Sequence, residues 1–310
     1  MRTNAIIGKG AALLAGVLLA APVLAASQPY TSASKVSGAG VDEVASDVKT
    51  ALEDVGLEVQ GSYHPAGQAN MVSVVVTDSR LLKAIAQLRE TTKGGYPIFG
   101  AGIRVGVYQD TEADGDQVEV SFANPTYWYQ AYFQDAYQQV ASEAERVEGT
   151  LMETLGGLGE KTGEPFGGEV DDLAGYHYMV FMPYFEDHIE LASYDSFQKA
   201  VRTVRANLNR GVANTERVYQ VVLPEKAMAV FGVGMLDKEK GTPFWFPKLI
   251  QRHVAALPYE IAVMGNDVYM LHGRYRIALA WPKLTMATFS NIMDAPSDTE
   301  TVLGEVASPQ

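Results

Sequence analysis

Residues 103–125 read IRVGVYQDTEADGDQVEVSFANP, and this stretch sets the fold class. Ile103, Val105 and Val107 alternate with polar or small residues. Asp114-Gly115-Asp116 reverses the chain, and Val118, Val120 and Phe122 alternate on the way back to Asn124-Pro125. Alternation of period two on both arms turns one face toward a covering layer and leaves the other available, the pattern of an antiparallel sheet.

Working outward, Val41, Val44, Val48, Leu52 and Val55 fall at helical spacing and stop at Gly56, a natural C-terminal cap. A strand, Met71-Val-Ser-Val-Val-Val-Thr-Asp78, follows, with its Asp placed to cap the helix whose face is Leu81, Leu82, Ile85 and Leu88. The same signals recur later. Ser196 caps a helix with Phe197, Val201, Val204 and Leu208 on one face and Gly211 at its end. The strand Val230-Phe-Gly-Val-Gly-Met-Leu-Asp237 comes next, then a helix carrying Phe246, Leu249, Ile250 and Val254, with Pro247 tolerated in its first turn. A second hairpin has Tyr259, Ile261 and Val263 on one arm, a Gly265-Asn266-Asp267 turn, and Tyr275, Ile277 and Leu279 returning to Trp281-Pro282. The fold class is therefore α+β: two tandem related modules, each an antiparallel sheet backed by helices.

The modules occupy residues 38–125 and 176–293. Between them Trp128, Tyr132, Ala136, Val140, Ala144, Val147, Leu151 and Leu155 hold helical spacing, so 126–155 reads as one long amphipathic helix. Residues 156–175 are Gly-rich and acidic and read as a linker or surface loop. Tyr176 to Phe185 is apolar and aromatic, a strand opening the second module, and the small, acidic tail 294–310 reads as disordered.

The helix ending at Gly56, the strand Met71 to Asp78, the next helix and the hairpin closing on Asn124-Pro125 together resemble the bacterial "domain of unknown function" family numbered 302. The resemblance covers most of the first copy and is fainter in the second, where Trp281-Pro282 stands in for Asn-Pro. It implies a small α+β domain that tends to pair, with no established reaction or catalytic residues to carry over.

Residues 1–26 are set apart from the fold. Arg2 and Lys9 form a basic start, Ala11 to Ala21 is apolar, and Val23-Leu24-Ala25 offers small residues for cleavage, the pattern of a secretory signal peptide. The mature chain is expected to begin at Ala26 or Ser27, in the periplasm or outside the cell. Loss of Arg2 and Lys9 takes the formal charge from −13 to −15. An acidic exported chain with no basic run is a poor match for nucleic acid or anionic lipid. The absence of cysteine removes disulfides, thiolate metal sites, covalently attached haem and cysteine nucleophiles.

No nucleophile elbow, His-Glu-x-x-His motif or Walker-type loop occurs, so no catalytic residues are assigned and the common secreted hydrolases are set aside. Glu186, Asp187 and His188 offer an acid and a base, but a charged turn explains them equally. His253 reads as a hydrogen-bonded, half-buried residue on the edge of the Phe246 helix. A metal reading rests on His177-Tyr178-Met179 and Met270-Leu271-His272, where each His and Met pair falls on one side of a strand. Such pairs suit copper or non-covalent haem in a redox accessory protein. The aromatic run Tyr127, Trp128, Tyr129, Tyr132, Phe133 and Tyr137 surrounds its helix, so some members must contact a partner, the linker or a ligand.

The functional expectation is an exported binding or accessory protein acting through a cleft between the modules. The ligand-binding candidates are Trp128, Tyr129, Tyr132 and Trp245. Its partners are a protein or a small apolar ligand, with no nucleic acid, no stable membrane insertion, and pairing into a homodimer allowed. No motif identifies a cofactor, and an enzyme of unrecognised type is the remaining alternative.

Overall fold

A computed structural model describes residues 27–88, 93–111 and 116–309; the expected signal peptide, 1–26, and the Asp114-Gly115 part of the hairpin turn lie outside them. The chain runs through β1 (Tyr30–Ser37), α1 (Val41–Asp54), β2 (Glu58–Tyr63), β3 (Met71–Thr77), α2 (Ser79–Leu88), β4 (Ile103–Gln109) and β5 (Gln117–Ala123). Then come α3 (Pro125–Phe133), α4 (Ala141–Gly156) and β6 (Glu160–Phe166). The second half has β7 (Ile189–Ser193), α5 (Phe197–Asn209), β8 (Thr215–Leu223), β9 (Met228–Met235) and α6 (Thr242–Trp245). It ends with β10 (Tyr259–Met264), β11 (Asp267–Met270), α7 (Gly273–Ala280), α8 (Met286–Phe289) and α9 (Ala295–Ala307).

The strands form two antiparallel sheets, ordered β2-β3-β4-β5-β1-β6 and β7-β11-β10-β9-β8. Leaving β6 aside, the connectivity is the same in both: β1 corresponds to β7, β2 to β8, and so on to β5 and β11. The likeness continues past the sheets. A helix buried nearly all round follows each last strand (α3, α7), and then a helix packs beside the first helix of its half, α4 with α1 and α9 with α5.

Side-chain alternation decides which face each sheet turns inward. In the first sheet Val72, Val74, Val76, Val105, Val107, Val120 and Phe122 share the face toward α1 and α4. Val44, Val48 and Leu52 of α1 are fully buried there, each burial contributing about 1.5–3 kcal/mol. The opposite face carries small or polar residues, Ser73, Arg104, Gly106 and Ser121, and the second half lies against it. Ser73 Oγ donates to the carbonyl of Leu257 (2.7 Å), and Arg104 Nε donates to that of Ala255 (3.0 Å). A Cβ on Gly106 would sit 3.0 Å from the Ala255 nitrogen, so this close backbone approach favours glycine. The relation is mutual, because the turn Pro97–Gly100 before β4 packs on β9 and β10, as Val254–Ala256 before β10 packs on β3, β4 and β5.

Several local expectations hold. Asp78 Oδ1 accepts the Leu81 N–H (2.8 Å) and caps α2, Ser196 caps α5 through Lys199 N–H (3.3 Å), and Gly56 leaves α1 at φ +85°.

Others are corrected. The return arm of the second hairpin is the short β11, and Tyr275, Ile277 and Leu279 lie on α7. Every residue from Tyr275 to Ala280 is buried, so no polar face marks the helical period in the sequence. Pro125 therefore directly follows its hairpin, whereas Pro282 follows a helix. The ladders place Val76 opposite Ile103 and Val233 opposite Tyr259, which makes Met235, not Asp237, the counterpart of Asp78. The Phe246 helix is a four-residue α6 followed by separate 3-10 turns at Phe246–Lys248 and Val254–Ala256.

The stretch 126–155 breaks at Gln134, where φ is +46°, into α3, a 3-10 segment and α4. The expected linker contains β6, which pairs with β1 and extends the first sheet. Tyr176 to Phe185 forms turns rather than a strand. The tail is helix α9, with Val302, Leu303 and Val306 buried against α5 and β7, and the Tyr194 hydroxyl donates to Ala307 O.

Candidate functional site

Where the two sheets meet, Arg104 of β4 and Glu260 of β10 form an ion pair, and Arg276 of α7 joins it, its Nε 3.2 Å from Glu260 Oε2. The side chains are 1–3% exposed. Arg104 and Glu260 are the second residues of corresponding strands. Both guanidiniums lie over the Trp128 ring, at 4.4 and 4.9 Å. Burial pushes the Arg276 guanidinium down, but Glu260 together with Tyr132 and Tyr259 outweighs it and the net shift is upward. The neighbouring phenols of Tyr30, Tyr132 and Tyr259 are pushed up by burial and stay neutral. The arrangement locks the halves together without leaving room for a ligand.

This accounts for the aromatic run on α3. Trp128, Tyr129, Tyr132 and Trp245 are all buried. Trp128 Nε1 donates to Pro29 O (2.9 Å), Tyr132 stacks on Phe185 (5.1 Å), Tyr129 stacks on Phe133 (4.8 Å), and Trp245 meets Trp281 edge-on (6.0 Å). A helix surrounded by aromatics does not have to expose some of them. Here α4 and the Pro97–Gly100 turn cover one side of α3, and Tyr127 donates to Leu279 O of α7 on another (2.9 Å).

The His and Met candidates sit on different elements. His177 and Met179 lie on turns, and Met179 is half exposed. Met270 is buried in β11, and a His272 ring nitrogen accepts the Arg274 N–H (3.2 Å) at the start of α7. Among the described residues no group of three or more His, Asp or Glu gathers in a way that could hold a metal ion. Glu186 accepts from Gln134, Asp187 accepts the Tyr184 N–H (2.9 Å), and His188 packs on Tyr96 and Tyr269.

An open pocket of about 290 Å³ lies where the β6 end of the first sheet meets the second half. His253 forms its inner wall. The ring is 2% exposed and boxed by Tyr30 of β1 (4.7 Å), Phe166 of β6 (5.6 Å) and Trp281, which stacks on it (5.7 Å, 17°). Nδ1 is 3.1 Å from Ala280 O, an acceptor, so Nδ1 carries the proton. Burial holds His253 down to about pKa 4, neutral at pH 7. The preceding Arg252 clamps Glu119 of β5 by donating from Nε (2.6 Å) and Nη2, one to each carboxylate oxygen, and lies over Phe166, fixing the segment.

Leu249, Ile250 and Leu284 supply apolar lining, Thr285 and Thr288 hydroxyls, and Lys248 and Lys283 the charge. The Lys283 stem runs against the Gly167-Gly168 turn after β6. There φ is +108° and +117°, and a Cβ on Gly168 would lie 2.7 Å from Lys283 Cγ. The sequence marks His253 as hydrogen-bonded. Nothing in it joins His253 to Tyr30, Phe166 and Lys283, because these partners come from separate elements.

A second surface feature is the loop Tyr176–Tyr184. Tyr176 and Tyr178 hydroxyls pin its stem by donating to Ala278 O (2.9 Å) and Leu284 O (2.8 Å). At its tip Val180 is mostly exposed and Phe181 fully exposed, at φ +70°. Among the described residues no helix is long and apolar enough to cross a membrane.

No family model, curated protein or solved structure matches the chain.

Proposed function

We propose that the chain is an exported, non-catalytic binding protein, built from two copies of one α+β module, that takes a small ligand with an apolar body in the pocket at their junction. The observation that carries this reading is the His253 pocket, an open cavity lined by the second half and by Gly167 of the turn after β6, and holding a buried, neutral imidazole that Tyr30 and Phe166 of the first half pack against. Identical strand order, and the matching places of Arg104 and Glu260, support duplication of the module from β1 to α4 and from β7 to α9. The resemblance to the family numbered 302 fits that duplication. The basic and apolar residues before Ala25 support export. The test is native mass spectrometry of protein isolated from the periplasm, alongside Thr288→Trp, which fills the pocket. A small-molecule adduct on the first and not on the second is expected, and an adduct retained by Thr288→Trp refutes the site.

A second reading, docking of a protein partner, is favoured by the apolar loop tip at Val180 and Phe181, since a fully exposed aromatic in a left-handed conformation has no role in stability.

A further inference from the structure

Resting on that junction-pocket reading, we propose that the ligand is a small organic acid that also carries a hydroxyl or amine proton, its acid group at Lys248 and Lys283 and its donor on Nε2 of His253.

Three observations converge on this class. The first is the tautomer. With its proton on Nδ1 and given to Ala280 O, the His253 ring has a bare lone pair on Nε2, and no described group donates to it. Aromatic rings hold the imidazole in place and His253 lines the pocket, so a molecule that enters with a donor can pair with this lone pair. Burial keeps the ring uncharged near neutral pH and so preserves that role.

The second is charge. The chain is strongly acidic, yet the charged residues lining this pocket are two lysines, and no described carboxylate pairs with either. Lys248 is held at the rim by Asn291 O (3.3 Å) and by the Phe244 ring, 3.4 Å beneath its Nζ. Lys283 is braced by the Gly167-Gly168 turn. An acidic surface around a cationic mouth repels anions at long range and retains those that reach the lysines.

The third is the lining between these ends. Trp281 and Ile250 give the middle of the pocket an apolar wall, which suits a ring or short carbon chain joining the two polar ends. Metal coordination at Nε2 is disfavoured by the same lysines, which place positive charge where a cation would sit.

Isothermal titration of the mature chain separates the elements of the proposal. The probes are 4-hydroxybenzoate and lactate, their analogues without the hydroxyl, benzoate and propionate, and the uncharged 4-hydroxybenzyl alcohol. At least one hydroxy acid is expected to bind, with its deoxy analogue and the alcohol each about tenfold weaker, the worth of one hydrogen bond or one partly exposed charge contact. Lys248→Gln with Lys283→Gln, both at exposed positions, is expected to abolish the preference for acid over alcohol without shifting the melting temperature. Equal affinity for the acid and the alcohol overturns the anion assignment and leaves the pocket reading standing. Equal affinity for a hydroxy acid and its deoxy analogue overturns the role of His253 Nε2. No binding by any probe at millimolar concentration, with the periplasmic adduct also absent, overturns both readings. No binding by the probes with the adduct present overturns the ligand class alone.

Discussion

Replacing Glu260 by Gln keeps the side-chain shape and removes the single carboxylate from a cluster that also holds Arg104 and Arg276. All three side chains are at most 3% exposed, so solvent cannot screen the two guanidiniums that remain. Removing one partner of a buried pair costs about 3–5 kcal/mol. The Trp128 face, 4.4 and 4.9 Å from the two guanidiniums, returns only part of that. With unfolding entropy of about 2.1 cal/mol/K per residue, a folded chain of this length should lose about 5–8 °C in Tm. The assay is differential scanning calorimetry at pH 7, with Glu119→Gln as the comparison. Glu119 pairs with Arg252, whose side chain is 35% exposed, so that change should cost about 1 kcal/mol. A Glu260→Gln protein that melts within about a degree of Glu119→Gln would refute the claim that the cluster joins the halves.

Three further outcomes follow from particular residues. His253 takes its proton near pH 6.5 when unfolded and only near 4 when folded, so its contribution is complete above pH 6.5, falls as pH drops toward 4 and then levels off. Over that window the wild type should lose about 3 kcal/mol more than His253→Phe in urea titrations at stepped pH, and parallel curves would contradict the neutral ring. Truncation after Asp294 removes the buried Val302, Leu303 and Val306, each contributing about 1.5–3 kcal/mol, and should yield insoluble or protease-sensitive protein. A soluble truncated chain with unchanged melting would mean that α9 is dispensable. Phe181→Gly relieves a left-handed backbone at a fully exposed side chain, and thermal melts should show stability unchanged or raised by up to about 1 kcal/mol. A marked loss would show that Phe181 packs on the fold.

The elements legible in the sequence are those with one wet and one dry face. α1, α5, β3 and the first hairpin announce themselves because apolar residues such as Val44, Val48, Val105 and Val107 recur at the period of their structure. Elements buried on all sides carry no such contrast: the aromatics of α3 resemble an exposed cluster, and Tyr275, Ile277 and Leu279 of α7 mimic a strand. Polar edges are lost for the opposite reason. β6, read from Glu160-Lys-Thr-Gly-Glu-Pro-Phe166, exists because β1 offers it backbone partners. The candidate pocket was the least legible part, since His253 gains its box only when Tyr30, Phe166 and Trp281 converge from three places in the chain. The central ion cluster was hidden likewise, because Arg104 looks like an outward-facing strand residue until Glu260 arrives from the other sheet.

The most direct test of a junction pocket is a map of ligand-induced NMR shifts on residues 27–310 during titration with 4-hydroxybenzoate. The account predicts changes at the His253 ring, the Trp281 indole, Lys248, Lys283 and the Gly167-Gly168 amides, with Met179 to Phe181 unmoved. Shifts confined to Met179–Phe181, or spread over the surface with His253 silent, would contradict it.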